Sequence, residues 1–314
     1  MSDYNFVQID DNSYPAIQEL YFKSFGLKET VVSIKEKYDT GMFGMKNTGF
    51  MAIDKTNDYA AYYGVFPMQM RIDNKDFQVA QSGDTMTAPN HRGKGLFIDL
   101  AKQTYLLAQK KGIQLIFGFP NKNSFPGFQK KLDWKFYGCM QNFIIPNNVI
   151  PFCELSSKFK FFMPWYNKYC NLKLSKYKIE LTEENTNIFQ DNNSRGFVKK
   201  DINFFKYKLR NKSNYLVKIN NFTLLIKPIP HLLVGAVGKF MPEKTNEFLS
   251  TLKTLSIKLG CKKTIISISE NHWLFSYLKN KLEYTESLPI GYFPINHDLP
   301  FADISYIGAD YDTF

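Results

Sequence analysis

Apolar and polar residues alternate along YNFVQI (4–9), which predicts a first strand. The period then lengthens. YPAIQELYFKSFG (14–26) carries apolar residues at helical spacing, with Pro15 in its first turn and Gly26 at its end. TVVSIKEKY (30–38) predicts a second, shorter helix. GFMAIDK (49–55) and YAAYYGVFPMQMRI (59–72) predict strands parted by a turn at Asn57-Asp58. DNKD (73–76) predicts a hairpin into the returning strand FQVAQSGDTMT (77–87). A glycine-bearing stretch, APNHRGKGLF (88–97), leads into a long helix over 95–112 that Gly112 ends. IQLIFGF (113–119) predicts a buried strand, SFPGFQKKL (124–132) a short helix and WKFYGCMQNFIIP (134–146) a closing strand. The pattern is mixed α/β, with the glycine stretch at a strand-to-helix junction.

Residues 147–175 break this rhythm. They are basic, aromatic and rich in turn formers, too aromatic for a solvated tether, and they predict a packed connector. The order then starts again. YKIELT (177–182) predicts a strand, DINFFKYKLRNK (201–212) a helix, YLVKI, FTLLIKPIP and HLLVGAV three strands, and TNEFLSTLKTLSIKLG (245–260) a long helix. Residues 116–146 align with 266–296: Ile116 meets Ile266, Asn121 meets Asn271, Phe125 meets Phe275, and Phe143 meets Phe293. A duplicated fold follows, with a first domain over 1–146, the connector over 147–175 and a second domain over 176–314. The second copy has nothing like RGKG before its long helix, so it is expected to be degenerate, with one cofactor site per chain.

Composition narrows the function. The chain has 314 residues, 44% of them hydrophobic, enough for two cores. A net charge of +11 favours anionic partners: phosphorylated metabolites, nucleic acid or an anionic membrane surface. The cysteines Cys139, Cys153, Cys170 and Cys261 form no CxxC pair and no metal or disulfide framework, so packed thiols and no metal are expected. The N-terminus lacks a signal-peptide pattern, and no apolar run is long enough to span a membrane, so a cytoplasmic protein is expected.

Arg92-Gly93-Lys94-Gly95 opens a helix. Unpaired N–H groups, the positive end of the helix dipole and two basic side chains suit a pyrophosphate there. Two nucleotide loops are excluded. Lys94 lies between the glycines with no Ser or Thr after it, unlike GxxxxGK[ST], and the third glycine of GxGxxG is missing.

TMTAPNHRGKGLF, followed by a long helix, a strand, PN and a short helix ending in KKLDW, resembles the GNAT acyltransferases, best over 77–146. The resemblance implies an α+β fold of two tandem domains, each a mostly antiparallel mixed sheet flanked by helices, and acyl-CoA as co-substrate. It implies that the backbone of Thr85, Met86 and Thr87 holds the pantetheine and polarises the thioester carbonyl. It implies that Arg92, Gly93, Lys94, Gly95, Leu96 and Phe97 take the pyrophosphate, that Asn121 bonds the pantetheine arm, and that Ser124 caps the short helix and faces the cofactor. Two positions depart from the family. Phe97 stands where Gly or Ala is usual, and Gln129 stands where many members place a Tyr that protonates the departing thiolate.

Asp84, on the strand that leads to the thioester, is the candidate general base. His91 is expected to be solvated or to touch phosphate. Tyr62, Tyr63, Phe66, Trp165 and Tyr166 are candidates for stacking on a base or sugar. A GNAT half followed by a loop-less half is similar to sugar N-acyltransferases of surface-polysaccharide pathways and to aminoacyl-transferring cell-wall enzymes, and GFPNKNSFPGFQKKLDW is nearer the first. The expected acceptor is therefore a nucleotide-linked amino sugar, with a peptide or protein amine as the alternative. A non-catalytic RNA-binding protein is the reading from another class, but no RNP-type motif or Arg-rich run supports it, and no nucleic-acid partner is expected. An oligomer is compatible with the sequence.

Overall fold

The computed structural model describes residues 3–191, 193–299, 301 and 303–314. In chain order the elements are β1 (Tyr4–Gln8), α1 (Tyr14–Phe25), α2 (Val31–Tyr38), β2 (Gly49–Asp54), β3 (Tyr59–Ile72), β4 (Lys75–Thr87), α3 (Leu96–Lys110), β5 (Leu115–Gly118), α4 (Phe125–Lys131) and β6 (Lys135–Pro146). There follow α5 (Phe152–Lys158), α6 (Met163–Leu174), α7 (Glu183–Asn187), β7 (Gly196–Val198), α8 (Ile202–Lys208), β8 (Tyr215–Ile219), β9 (Phe222–Lys227) and β10 (Leu232–Val237). The last are α9 (Thr245–Lys258), β11 (Lys263–Ser269), α10 (Trp273–Leu278), β12 (Tyr284–Pro294) and β13 (Ile304–Ser305).

The chain divides into two compact units. One runs to Tyr137 and adds Pro289–Phe301; the other holds Gly138–Leu288 and Ala302–Phe314. In the first, β1 to β4 form an antiparallel run and β5 lies parallel to β4. In the second, β8, β9 and β10 are antiparallel and β11 lies parallel to β10. This shared signature is what a duplicated mixed α/β fold requires.

The sequence reading closes each copy with its own last strand, and the structure exchanges them. Phe293 of β12 pairs with Ile116 of β5, and Phe143 of β6 pairs with Ile266 of β11. These are the positions that align across the internal repeat, so the exchange keeps one register in both units. A strand segment such as FIIP carries the same alternating pattern in either copy, and nothing local says which sheet receives it.

Two apolar layers cover the first sheet. Tyr63, Ala80, Leu100, Tyr105, Phe128 and Trp134 pack on the α3/α4 face. Ile17, Leu20, Tyr38, Tyr62, Phe66 and Met86 pack on the α1/α2 face. Adjacent tyrosines 62 and 63 thus enter opposite layers, as strand geometry demands.

Two elements differ from expectation. Residues 177–182 form no strand: Lys178 makes one isolated bridge to Val217, and Thr182 then caps α7 by accepting from the Asn185 N–H at 3.2 Å. The stretch 147–175 belongs to the second unit and folds into α5 and α6, whose Cys153, Tyr166, Cys170 and Leu174 enter that unit's core.

Candidate functional site

The site begins with a misaligned pair of strands. Tyr62 faces Met86 but Gly64 faces Gly83, so Asp84 and Thr85 together oppose Tyr63. Asp84 is the residue that turns, with φ +48°. Asp tolerates this left-handed conformation better than most residues. The bulge re-aims side chains. Ser82 and Asp84 are two apart and would share a face in a regular strand, yet they lie on opposite faces. Ser82 bonds Tyr63 in the α3/α4 layer; Asp84 bonds Tyr38 in the α1/α2 layer. Parallel pairing of β4 with β5 ends at Gln81↔Phe117, just before the bulge. The backbone from Ser82 to Thr87, including Thr85, Met86 and Thr87, continues past that last pair. The two strands therefore part at the place where the sequence reading puts the pantetheine.

Beyond Thr87 the chain turns through Pro89–His91 into the glycine loop. Gly93 and Gly95 have φ of +77° and +78°, values that favour glycine. A Cβ added at Gly93 meets nothing within 4 Å, and one at Gly95 meets only Asp99 Oδ2 at 4.0 Å. Both glycines thus leave the space beside the loop backbone open. Gly95 is the N-cap of α3 and provides no side-chain cap for the first-turn N–H groups of Leu96 and Phe97. Arg92 and Lys94 are exposed beside them. Arg92 Nε donates to the Thr87 carbonyl at 3.3 Å, which ties the loop to the end of β4. Lys94 Nζ lies 5.6 Å over the Tyr4 ring. Asp99 is a negative charge in the same helical turn, so Arg92 and Lys94 must supply the positive field. Open glycines, uncapped amides and two cations fit a pyrophosphate.

His91 is not solvated: it is buried, with Nδ1 at 2.9 Å from Tyr4 Oη and Nε2 at 3.6 Å from Asp58 Oδ2, and it ties the loop to β1 and to the turn between β2 and β3.

After β5, Ser124 stands at the N-cap of the short helix but its side chain makes no capping bond, and Asn121 Oδ1 accepts the N–H groups of Asn123 at 2.9 Å and Ser124 at 3.2 Å in a turn ahead of the helix. The Ser124 hydroxyl turns back to the Asn121 carbonyl at 3.4 Å. Both stay on the turn that follows β5, where the strands part.

Phe97, the residue that departs from the family, has a local partner. Its ring centroid lies 5.1 Å from Phe128 and 5.8 Å from Tyr63. A Cβ on Gly127 would sit 2.5 Å from Phe97 Cε1. The aromatic ring in α3 is matched by a missing side chain in α4. Gln129 is exposed on α4.

A buried polar chain runs under the bulge. Trp134 Nε1 donates to Tyr105 Oη at 2.8 Å, Tyr105 and Tyr63 hydroxyls are 3.1 Å apart, and Tyr63 Oη lies 2.8 Å from Ser82 Oγ. Indole N–H can only donate. Tyr105 therefore accepts from Trp134; in the Tyr105–Tyr63 and Tyr63–Ser82 contacts either oxygen can donate, and when the hydrogens run from Tyr105 to Tyr63 to Ser82 the Ser82 hydroxyl is free to donate elsewhere. Burial raises the pKa of both phenols, so they polarise the chain without giving up protons. Sequence reading missed this chain, because its members are scattered over β3, β4, α3 and the turn before β6. The same burial removes Tyr62, Tyr63, Phe66 and Tyr166 as stacking surfaces.

On the other face, the Asp84 carboxylate lies 2.6 Å from Lys37 Nζ and accepts from Tyr38 Oη at 3.0 Å. Its side chain is only 7% exposed. Lys37 and Tyr38 end α2 and carry no motif, so sequence gave no reason to choose them.

In the second unit the strands that match β4 and β5 are β10 and β11, with a bulge between Val234 and Ala236. The chain's own last residues occupy that parting. Gly308 fits where a Cβ would come 3.0 Å from the Val234 carbonyl and 3.9 Å from that of Ser267. Ile307 bridges Ile268, and the Phe314 ring lies against Gly235. Buried Asp310 pairs with buried Lys200 at 2.8 Å. The helix α9 follows Pro242–Lys244, without a glycine loop. Among the described residues, no group of His, Cys, Asp and Glu is arranged to hold a metal ion.

Residues 7–137 match the model of a family described as an acetyltransferase (GNAT) domain. The fold is similar to that of a GCN5-related N-acetyltransferase from Kribbella flavida, at 12% identity and a TM-score of 0.58 over 94% of this chain and 71% of that one. It is similar to a putative acetyltransferase from Pyrococcus horikoshii, at 11% identity and a TM-score of 0.53 over 95% and 92% of the two chains. It is also similar to Saccharomyces cerevisiae N-myristoyltransferase with bound myristoyl-CoA, at 10% identity and a TM-score of 0.57 over 94% and 83%. No curated protein sequence matches the chain. The match to a GNAT acetyltransferase domain thus covers residues 7–137, and the solved structures share the fold of the chain.

Proposed function

We propose that this chain transfers an acyl group from acyl-CoA directly to the amine of a nucleotide-linked amino sugar. The observation that carries the acyl-transfer reading is the bulge. It sets the Asp84 carboxylate on one face and the Ser82 hydroxyl on the other, shortly before the Arg92–Gly95 loop in the chain.

Arg92, Lys94 and the N–H groups from Gly93 to Phe97 hold the pyrophosphate. The backbone of Thr85, Met86 and Thr87 holds the pantetheine and polarises the thioester carbonyl. Asn121 and Ser124 border the same arm. Asp84 accepts the proton that the acceptor ammonium loses, directly or through water, and Lys37 and Tyr38 fix its orientation. The neutral amine attacks the thioester carbon, the carbon–sulfur bond breaks, and the proton that the new amide nitrogen sheds passes to the departing thiolate or to water. Ser82, polarised by Tyr63 and Tyr105, donates a hydrogen bond to the departing thiolate. That takes over the duty a tyrosine at position 129 would have. Thiols ionise near neutral pH (pKa about 8.5), so the thiolate leaves with help no stronger than this.

The sugar acceptor rests on the sequence resemblance over 118–134 and on a net charge of +11, which suits a diphosphate-linked substrate. The test follows free thiol from acetyl-CoA and longer acyl-CoAs with a panel of nucleotide amino sugars and of peptides with free N-termini. Turnover with the sugars is expected. Turnover with peptides alone would move the acceptor to that class. Thiol release that survives Asp84→Asn unchanged would remove Asp84 from the chemistry; a fall of about 10²–10⁴ is expected.

A further inference from the structure

We propose that the segment from Ile150 to Lys178 is a docking surface for an anionic lipid membrane. Helix α6 is apolar on two sides. Tyr166, Cys170 and Leu174 are buried in the core of the second unit, at helical spacing. Trp165, Tyr169 and Leu172 recur at the same spacing on the outer side, and they are 75%, 37% and 68% exposed. An apolar stripe on a globular helix is ordinarily covered. Helix α5 repeats the arrangement, with Cys153 and Ser156 inward and Phe152 and Leu155 outward. Between the two helices lies a groove of about 410 Å³, lined mainly by aromatic and aliphatic side chains. Nine of the twenty large apolar side chains that are exposed among the described residues fall between Ile150 and Leu172. Such concentration marks an interaction surface.

Charge selects the occupant. The segment contains Lys158, Lys160, Lys168, Lys173, Lys176 and Lys178 against a single acid, Glu154. Glu154 is held inward by His231 at 3.1 Å and by the Lys262 N–H at 3.1 Å. Lys158, Lys168, Lys173 and Lys176 are exposed on the same helices and the turn that follows them. Exposed Trp and Tyr flanked by lysines, on short helices, is the composition of a segment that lies in the headgroup region of an anionic leaflet. A second copy of this chain would bring the same lysines face to face. None of the helices among the described residues is long and apolar enough to cross a membrane, so the segment lies on the surface. This inference does not depend on the acyl-transfer reading.

Trp165 reports on the surface directly. The other two tryptophans, Trp134 and Trp273, are 4% and 7% exposed. The full chain is mixed with vesicles of phosphatidylcholine alone and of phosphatidylcholine with phosphatidylglycerol. The expected result is cosedimentation with the anionic vesicles only, weakened by salt. A blue shift and loss of acrylamide quenching in tryptophan emission should accompany it. Phe161→Ser and Lys168→Glu, both at exposed positions, should each weaken vesicle binding roughly tenfold while melting as the wild type does. No cosedimentation with anionic vesicles would overturn the proposal. So would binding that neither substitution weakens. Protection of Trp165 that grows with protein concentration and needs no lipid would assign the surface to a second copy instead.

Discussion

Gly93→Ala separates the loop's conformational need from its ligand role. Gly93 sits at φ +77°, and a Cβ there meets nothing within 4 Å. The substitution therefore costs only the left-handed backbone strain, about 1 kcal/mol. In a domain of this size that lowers Tm by roughly 2–4 °C. Gly112, after α3, offers an internal control, with φ +80° and nothing within 4 Å. Gly112→Ala should lose the same stability. The two should differ in calorimetric titration with coenzyme A. With the pyrophosphate on this loop, the methyl at Gly93 stands between it and the uncapped amides of α3, so affinity should fall by tenfold or more, about 1.4 kcal/mol. Affinity in Gly112→Ala should match the wild type. Equal affinities in Gly93→Ala and the wild type, or equal losses in both variants, would refute the reasoning.

Other consequences are testable with single variants. Tyr63→Phe breaks the chain to Ser82 and should lower kcat about tenfold with little change in the KM for acyl-CoA; Ser82→Ala should do the same, and a double variant no worse than either single one would show that they act as one unit. Gly127→Ala places a methyl 2.5 Å from Phe97 Cε1 and should destabilise by about 1–3 kcal/mol, and Phe97→Ala in the same chain should recover part of that loss in urea unfolding. His272 is buried and its Nδ1 accepts from the Leu274 N–H at 3.2 Å, so burial drives its pKa from 6.5 down to about 4. The unfolded chain takes up that proton first, so stability should be full above pH 6.5 and decline as pH falls through the window to 4. His272→Gln should flatten that decline, and an unaltered slope would show that other groups cause it.

The antiparallel run, the glycine loop and the long helix are legible in the sequence because each is decided by neighbours in the chain. YAAYYGVFPMQMRI alternates only mildly, but DNKD after it fixes the hairpin, and RGKG before FIDLAKQ fixes the helix start. The residues that complete the site are not legible. Lys37, Tyr38, Tyr63, Ser82 and Tyr105 come together only through the bulge at Asp84, and a positive φ at an aspartate has no sequence signature of its own. Phe97 reads as a misfit until Gly127 is placed beside it. The segment 147–175 reads as a connector because its two helices are apolar on both sides, which erases the amphipathic period. The exchange of β6 and β12 is hidden by the repeat itself, since both strands offer the same face to the same register. The missing second loop is legible; its reinforcement by the turn at Gly308–Asp310 is not.

One titration bears most directly on the account. Acetyl-CoA is titrated calorimetrically into the full chain and into Arg92→Glu. The account predicts one molecule bound per chain, because among the described residues only the first unit has an open parting beside a glycine loop. It also predicts a fall in affinity of at least tenfold in the variant, where a negative charge replaces a positive one beside the pyrophosphate. Two molecules per chain, no binding at all, or an affinity indifferent to Arg92→Glu would contradict it.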